Sequence, residues 1–148
     1  MPALIGRYEH ALDAKNRVFV PARYRELLAA EQGRHFILSI GLDRCLYLFL
    51  PSQWEQLLTS RQEEFRLKDK RKQRAVRRVL FSNAVEAPVD EQGRILIPQE
   101  LKGYAGLRKR IVMAGSGTRA ELWDDALFAK EHAPAMNLFR KMSADVDL

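Results

Sequence analysis

The sequence predicts a mainly β chain with helices, an α+β fold made from one small unit used twice. Three observations carry that prediction. Asp13-Ala-Lys-Asn-Arg17 and Asp90-Glu-Gln-Gly-Arg94 share one pattern, and each is followed by three apolar residues and a proline, Val18-Phe-Val-Pro21 and Ile95-Leu-Ile-Pro98. The residues ahead of each motif alternate in polarity, and those behind each proline are helix formers, so strand, turn, strand and helix recur in the same order. At 148 residues, two halves standing alone would each bury too little surface to be stable, so the copies are expected to share one core.

Each motif reads as a hairpin tip. Asp13 and Asp90 can accept from backbone two residues on, and Asn16 and Gly93 are residue types that accept a positive φ. These four residues define the turns. Tyr8, His10 and Leu12 alternate with polar or small neighbours ahead of the first tip, and Val18 to Val20 leads out of it. Pro21 suits the first turn of a helix over Ala22 to Ala30, with Gly33 as its stop. Phe36 to Ile40 and Cys45 to Leu50 read as strands joined by the turn Gly41-Leu-Asp-Arg44. Ser52-Gln-Trp-Glu55 reads as a capping box opening a helix that carries Trp54, Leu57 and Leu58.

The second copy repeats the order. Val85, Ala87 and Val89 alternate before the tip, with Pro88 pointing to an edge or distorted strand. Ile95 to Ile97 leaves it, and Pro98 opens a short helix ended by Gly103 and Gly106. Ile111 to Ala114 and Ala120 to Trp123 match the strands of the first half, joined by the polar turn Gly115-Ser-Gly117. A helix after Asp124 carries Leu127 and Phe128, with Pro134 as its expected limit and a loosely held tail beyond. The organisation expected is unit one over 7–53, a basic helical linker over 54–81, unit two over 82–125, and a C-terminal helix and tail over 126–148.

Charged residues make up 30% and the hydrophobic set 47%, a soluble globular balance, and the net charge of +6 favours a polyanionic partner. Cys45 is the single cysteine, which rules out a disulfide within the chain and fits a reducing cytoplasm. Three scattered histidines, His10, His35 and His132, suggest no zinc site, so no metal and no cofactor is expected. Met1 to Arg7 does not read as a signal peptide, and nothing approaches the ~20 apolar residues of a membrane span.

No nucleotide-binding glycine motif and no nucleophile elbow occurs. Hairpin-tip carboxylates beside arginines are expected to stay ionised and solvated, which does not suit general acid–base work. The sequence therefore predicts no catalytic residue, no enzyme and no small-molecule substrate.

Arg17 and Arg94 admit two readings: an ion pair with the aspartate four residues back, or a guanidinium fork offered to phosphates or a guanine edge. Lys15 stands beside Arg17, whereas the second tip carries Glu91 and Gln92, so the first tip is expected to be the better anion contact. The run Arg66 to Arg78 places Lys70, Arg74, Arg77 and Arg78 on one helix face, with Val76, Val79 and Leu80 roughly opposite. That stripe reads either as a solvated face joining the halves or as a contact for nucleic acid or a neighbouring subunit.

The paired Asp-x-x-x-Arg motifs, the apolar run and proline behind each, the Ser-x-Trp-Glu helix start, the basic linker helix and Ala120-Glu-Leu-Trp123 together resemble the MraZ family of bacterial transcriptional regulators, built of tandem SpoVT-AbrB-type units. The likeness runs from about Leu4 to Phe128. It implies a swapped-hairpin β-barrel with external helices, ring-like homo-oligomers, and a nucleoid-associated protein that binds short repeats of double-stranded promoter DNA ahead of its own division and cell-wall gene cluster. By the same resemblance the DNA-contacting residues are Arg17, with Lys15 beside it, and its counterpart Arg94. Asn16 departs from the glycine common in the first motif, in a backbone region that asparagine tolerates.

Overall fold

In the computed structural model, which describes residues 2–60 and 66–148, the strands of each half pair with strands of the other. The first half contributes β1 (Arg7–Ala11), β2 (Arg17–Phe19), α1 (Ala22–Ala30), β3 (His35–Ile40), β4 (Leu46–Phe49) and α2 (Pro51–Thr59). After α3 (Lys70–Ser82) the second repeats the series as β5 (Val85–Pro88), β6 (Arg94–Leu96), α4 (Gln99–Ala105), β7 (Arg110–Gly115), β8 (Ala120–Asp124) and α5 (Asp125–Met142). Of the basic helical linker expected over 54–81, residues 61–65 lie outside the described residues.

The six-stranded antiparallel sheet has the order β1-β7-β8-β4-β3-β5, and β2 and β6 form a separate two-stranded ribbon. β1 of the first half lies on β7 of the second, and β5 of the second lies on β3 of the first, which is the exchange of hairpins that a swapped duplication requires. The ribbon has Val18 opposite Ile95, Arg17 opposite Leu96 and Phe19 opposite Arg94, so the two motifs meet symmetrically about its centre. The sheet and ribbon form no continuous closed ladder among the described residues. Instead the edge strands β1 and β5 each run through a tip into the ribbon, which links the two edges of the sheet.

Alternation along the strands divides the apolar residues between two faces. Phe36, Leu38, Leu46, Leu48, Ile111, Met113 and Leu122 join Val18, Val20, Ile95 and Ile97 of the ribbon and Tyr24, Leu28 and Leu101 of α1 and α4 in one buried core. The other face gathers Ile37, Tyr47, Phe49, Val112 and Trp123 against Leu57 of α2 and Leu127 and Phe128 of α5, with Cys45 buried there as a small apolar residue. Pro88 lies on the edge strand β5, opposite His35, where its missing N–H costs no ladder bond on the open side.

Four local expectations are corrected. Ser52 does not cap α2: Pro51 starts that helix earlier, Leu50 occupies the cap position, and its N–H donates to Gln53 Oε1 at 3.0 Å. Ser52 instead donates through its N–H and hydroxyl to the Glu31 carboxylate, at 3.0 and 2.7 Å. At the end of α1 the positive φ falls on Gln32 rather than Gly33, while Gly33 N–H closes the turn on Leu28 O. Gly103 lies within α4, and Gly106, at φ 61°, ends it. Finally, α5 does not stop at Pro134 but continues to Met142, followed by a 3-10 turn over Ser143–Asp145. Pro134 is exposed, so the carbonyl it leaves without an N–H partner faces solvent.

Candidate nucleic-acid interface

Both tips are built identically by one carboxylate. Asp13 Oδ1 accepts from Lys15 N–H at 2.9 Å and Arg17 N–H at 2.8 Å, and Oδ2 accepts from Arg17 Nε at 2.9 Å. Asp90 repeats this with Gln92 N–H, Arg94 N–H and Arg94 Nε, each at 2.9 Å. Asn16 and Gly93 hold the positive φ, 61° and 86°, that lets the chain turn back in so few residues. The four turn-defining residues thus occupy the positions the motif demands. The backbone bond from Arg17, foremost, lowers the Asp13 pKa below its ordinary value, and the bond from Arg94 does the same for Asp90.

The ion-pair reading of the arginines therefore describes the geometry of both tips, yet at the first tip it leaves the two terminal nitrogens of the guanidinium unused. The bond to aspartate uses Nε, the inner edge of the fork. Arg17 keeps 31% of its side chain exposed, and its two terminal nitrogens make no hydrogen bond among the described residues. Arg94 is 18% exposed, and its Nη1 also reaches Asp13 Oδ2 at 3.6 Å, tying the second arginine to the first tip. Register places Arg17, Phe19, Arg94 and Leu96 on one face of the ribbon and Val18 and Ile95 on the other. The outward face is amphipathic: Phe19 and Leu96 remain 43% and 55% exposed, and the Arg94 guanidinium lies 6.0 Å from the Phe19 ring centroid. Lys15 is exposed at the first tip, as are Glu91 and Gln92 at the second.

Each tip is also gripped by the opposite half, which the motifs alone did not disclose. Ile97 N–H donates to Asn16 O at 2.7 Å, and Val20 N–H to Gly93 O at 2.9 Å. Lys102 of α4 donates to Asn16 Oδ1 at 2.9 Å, and Asn16 Nδ2 donates to Gln99 Oε1 at 3.4 Å. Arg25 of α1 packs its guanidinium over Gly93, where a Cβ would lie 2.9 Å from Cζ, and donates from Nε to Val20 O at 3.1 Å. Arg25 and Lys102 each stand four residues after the repeat's proline, Pro21 or Pro98, so the signal was a basic residue at equal spacing in both copies.

The basic helix α3 is capped by Asp69, whose Oδ1 accepts from Arg71 and Lys72 N–H. Lys70, Arg74 and Arg78 are exposed, while the Arg77 guanidinium lies 5.2 Å from the Phe81 ring centroid. Val76 and Val79 are not packed away on the opposite side: they stay 42% and 51% exposed and line a cleft of about 360 Å³ with Tyr47, Phe49 and Leu57. Among the described residues no group of His, Cys, Asp or Glu is placed to hold a metal ion, and no helix is long and apolar enough to cross a membrane.

The family model described as "MraZ protein, putative antitoxin-like" matches residues 3–76 and 80–147. The chain belongs to the MraZ family. It is 41% identical over 143 residues to the transcriptional regulator MraZ of Acetivibrio thermocellus, covering 93% of this chain and 95% of that one. The corresponding regulator of Clostridium tetani is 44% identical over 119 residues, covering 80% of each chain. That of Caldanaerobacter subterraneus is 35% identical over 148 residues, covering 97% of this chain and 96% of its own. Membership of the MraZ family accounts for the tandem plan, since the two matched segments each contain one Asp-x-x-x-Arg tip.

Proposed function

We propose that this chain is a cytoplasmic, nucleoid-associated transcriptional regulator that grips double-stranded promoter DNA through its two tips. The observation that carries this reading is the first tip, where Arg17 is partly exposed with its bond to Asp13 made through Nε alone, and Lys15 is exposed beside it on a backbone latched by Asp13. The names of its relatives, all transcriptional regulators, support the same class. Arg17, Lys15 and Arg94 contact the duplex, with Arg17 foremost because Arg94 is less exposed and shared between two carboxylates.

One tip offers few contacts and a salt-sensitive affinity. Several tips on the rim of a ring-like homo-oligomer would engage successive short repeats at high effective concentration. Occupied repeats ahead of the division and cell-wall gene cluster would then exclude polymerase and repress the gene's own promoter. No step in this action requires a cofactor, a metal or a chemical conversion.

Arg17→Ala tests the assignment. Asp13 keeps its two backbone donors in that variant, so the tip stays folded while the outward cation is lost. Gel shift on the gene's own upstream duplex should show binding abolished for Arg17→Ala and weakened for Arg94→Ala, with the sedimentation profile unchanged. Normal binding by Arg17→Ala would refute the site. The cleft beside Val76 and Val79 favours a second reading, an oligomeric protein-interaction module with incidental affinity for nucleic acid. Equal binding to the upstream duplex and to a scrambled one at physiological salt would select it.

A further inference from the structure

We propose that Lys102, a residue of the second half, is a third cation of the first half's tip and contacts a DNA phosphate there. The assignment rests on the DNA-binding reading and extends it to a residue outside both motifs. Its ammonium lies 2.9 Å from Asn16 Oδ1, next to Lys15 and Arg17 in the chain, and its side chain is half-buried along α4. An ammonium carries three donors, and Asn16 takes one; the other two have no partner among the described residues. Asn16 is itself fixed by the bond from Ile97 N–H and by its own bond to Gln99, so the lysine is held at the tip by a rigid acceptor.

The second tip holds its equivalent cation through a different acceptor, a backbone carbonyl rather than a side chain of the tip. There the equivalent cation, Arg25, donates from Nε to the Val20 carbonyl and packs its guanidinium against Gly93, and it is exposed. Asparagine with lysine at one tip and glycine with arginine at the other are matched pairs: a side-chain oxygen accepts from the lysine ammonium, and a missing Cβ makes room for the arginine. The first tip thus gathers three cations, Lys15, Arg17 and Lys102, whereas the second has Arg94 and Arg25 beside the exposed Glu91 and Gln92. Free phosphate and the DNA backbone present the same chemistry, and the duplex is what the neighbouring cations fit.

Lys102→Gln in the full chain separates charge from pinning, because glutamine retains a donor for Asn16 while removing the cation. Affinity is read by fluorescence anisotropy on a labelled duplex of the gene's own upstream region, over a series of NaCl concentrations, with thermal melting to check the fold. Each phosphate contact contributes about one to the slope of log affinity against log salt. Lys102→Gln should weaken binding about tenfold and flatten that slope by about one for each engaged tip, while Lys102→Arg keeps it. A wild-type slope in Lys102→Gln, with or without weaker binding, would make Lys102 a structural pin and overturn the assignment alone. A wild-type chain that fails to bind the duplex would overturn the DNA reading and the assignment together, before any variant is compared.

Discussion

Removing three buried carbons from one side chain of the second half should destabilise the first half equally. Ile95 is 1% exposed and sits opposite Val18, itself fully buried, at the centre of the β2–β6 ribbon. Ile95→Ala deletes its outer methylene and methyl groups and leaves a void, a change that costs about 2–5 kcal/mol in well-packed cores. The ribbon has one open face, with Phe19 and Leu96 on it, so some settling is possible and a value of about 3 kcal/mol is expected. With a urea dependence of about 2 kcal/mol per molar, the unfolding midpoint should fall by about 1.5 M. Each half carries one tryptophan: Trp54, stacked edgewise on Phe49 and Phe81, and Trp123, hydrogen-bonded to Glu121. Retaining one at a time, by Trp123→Phe or Trp54→Phe, gives a fluorescence reporter for each half at fixed protein concentration. Both reporters should move by the same amount when Ile95→Ala is introduced. A Trp54 curve that stays put while the Trp123 curve shifts would refute the shared core and leave two independent halves.

Two further outcomes follow from the tips and the sheet edge. Because the Asp13 and Asp90 pKa values are lowered in the folded chain, the latches contribute stability above the ordinary aspartate value of 3.8 and lose it only as pH falls through the depressed folded values. The tips should stay latched through neutral and mildly acidic pH, and a carbon NMR titration placing either carboxyl at or above 3.8 would contradict the latch. Gly115→Ala should destabilise by about 1–3 kcal/mol, seen as a lower melting temperature, because the added Cβ falls on the Leu4 carbonyl and the Ile5 backbone rather than on a movable side chain. An unchanged melting temperature would mean that the N-terminal segment does not lie across β7.

The repeat made most of the strands readable in chain order, since the alternation around Tyr8 and Val85 and the apolar runs from Phe36 and Ile111 recur in the same sequence in both copies. Turn chemistry was readable for the same reason: Asp13 with Asn16, and Asp90 with Gly93, act within five residues of chain. Long-range partners were not readable. Ser52 has the spacing of a cap but meets Glu31, 21 residues away, and Pro51 takes over the helix start. Pro134 reads as a stop, yet a single missing N–H at an exposed position is too weak to end α5. The bond between Lys102 and Asn16 spans 86 residues and exists only because the hairpins are exchanged.

That exchange determines how the two copies of one motif can differ. The latch itself leaves little freedom, because one carboxylate must meet two backbone donors and an Nε in both tips. The residues gripping each tip come from the opposite half and are not bound by that geometry. Lysine facing asparagine and arginine facing glycine are two solutions to the same position, and they tie the cation to the tip through different atoms. A substitution at position 102 therefore acts on the first tip and one at position 25 on the second, although each lies in the other half of the sequence. Neither half, severed from its partner, would retain a complete tip: the lone first half would lose Lys102, Gln99 and the Ile97 N–H together, and would expose Val18 and Val20 to water.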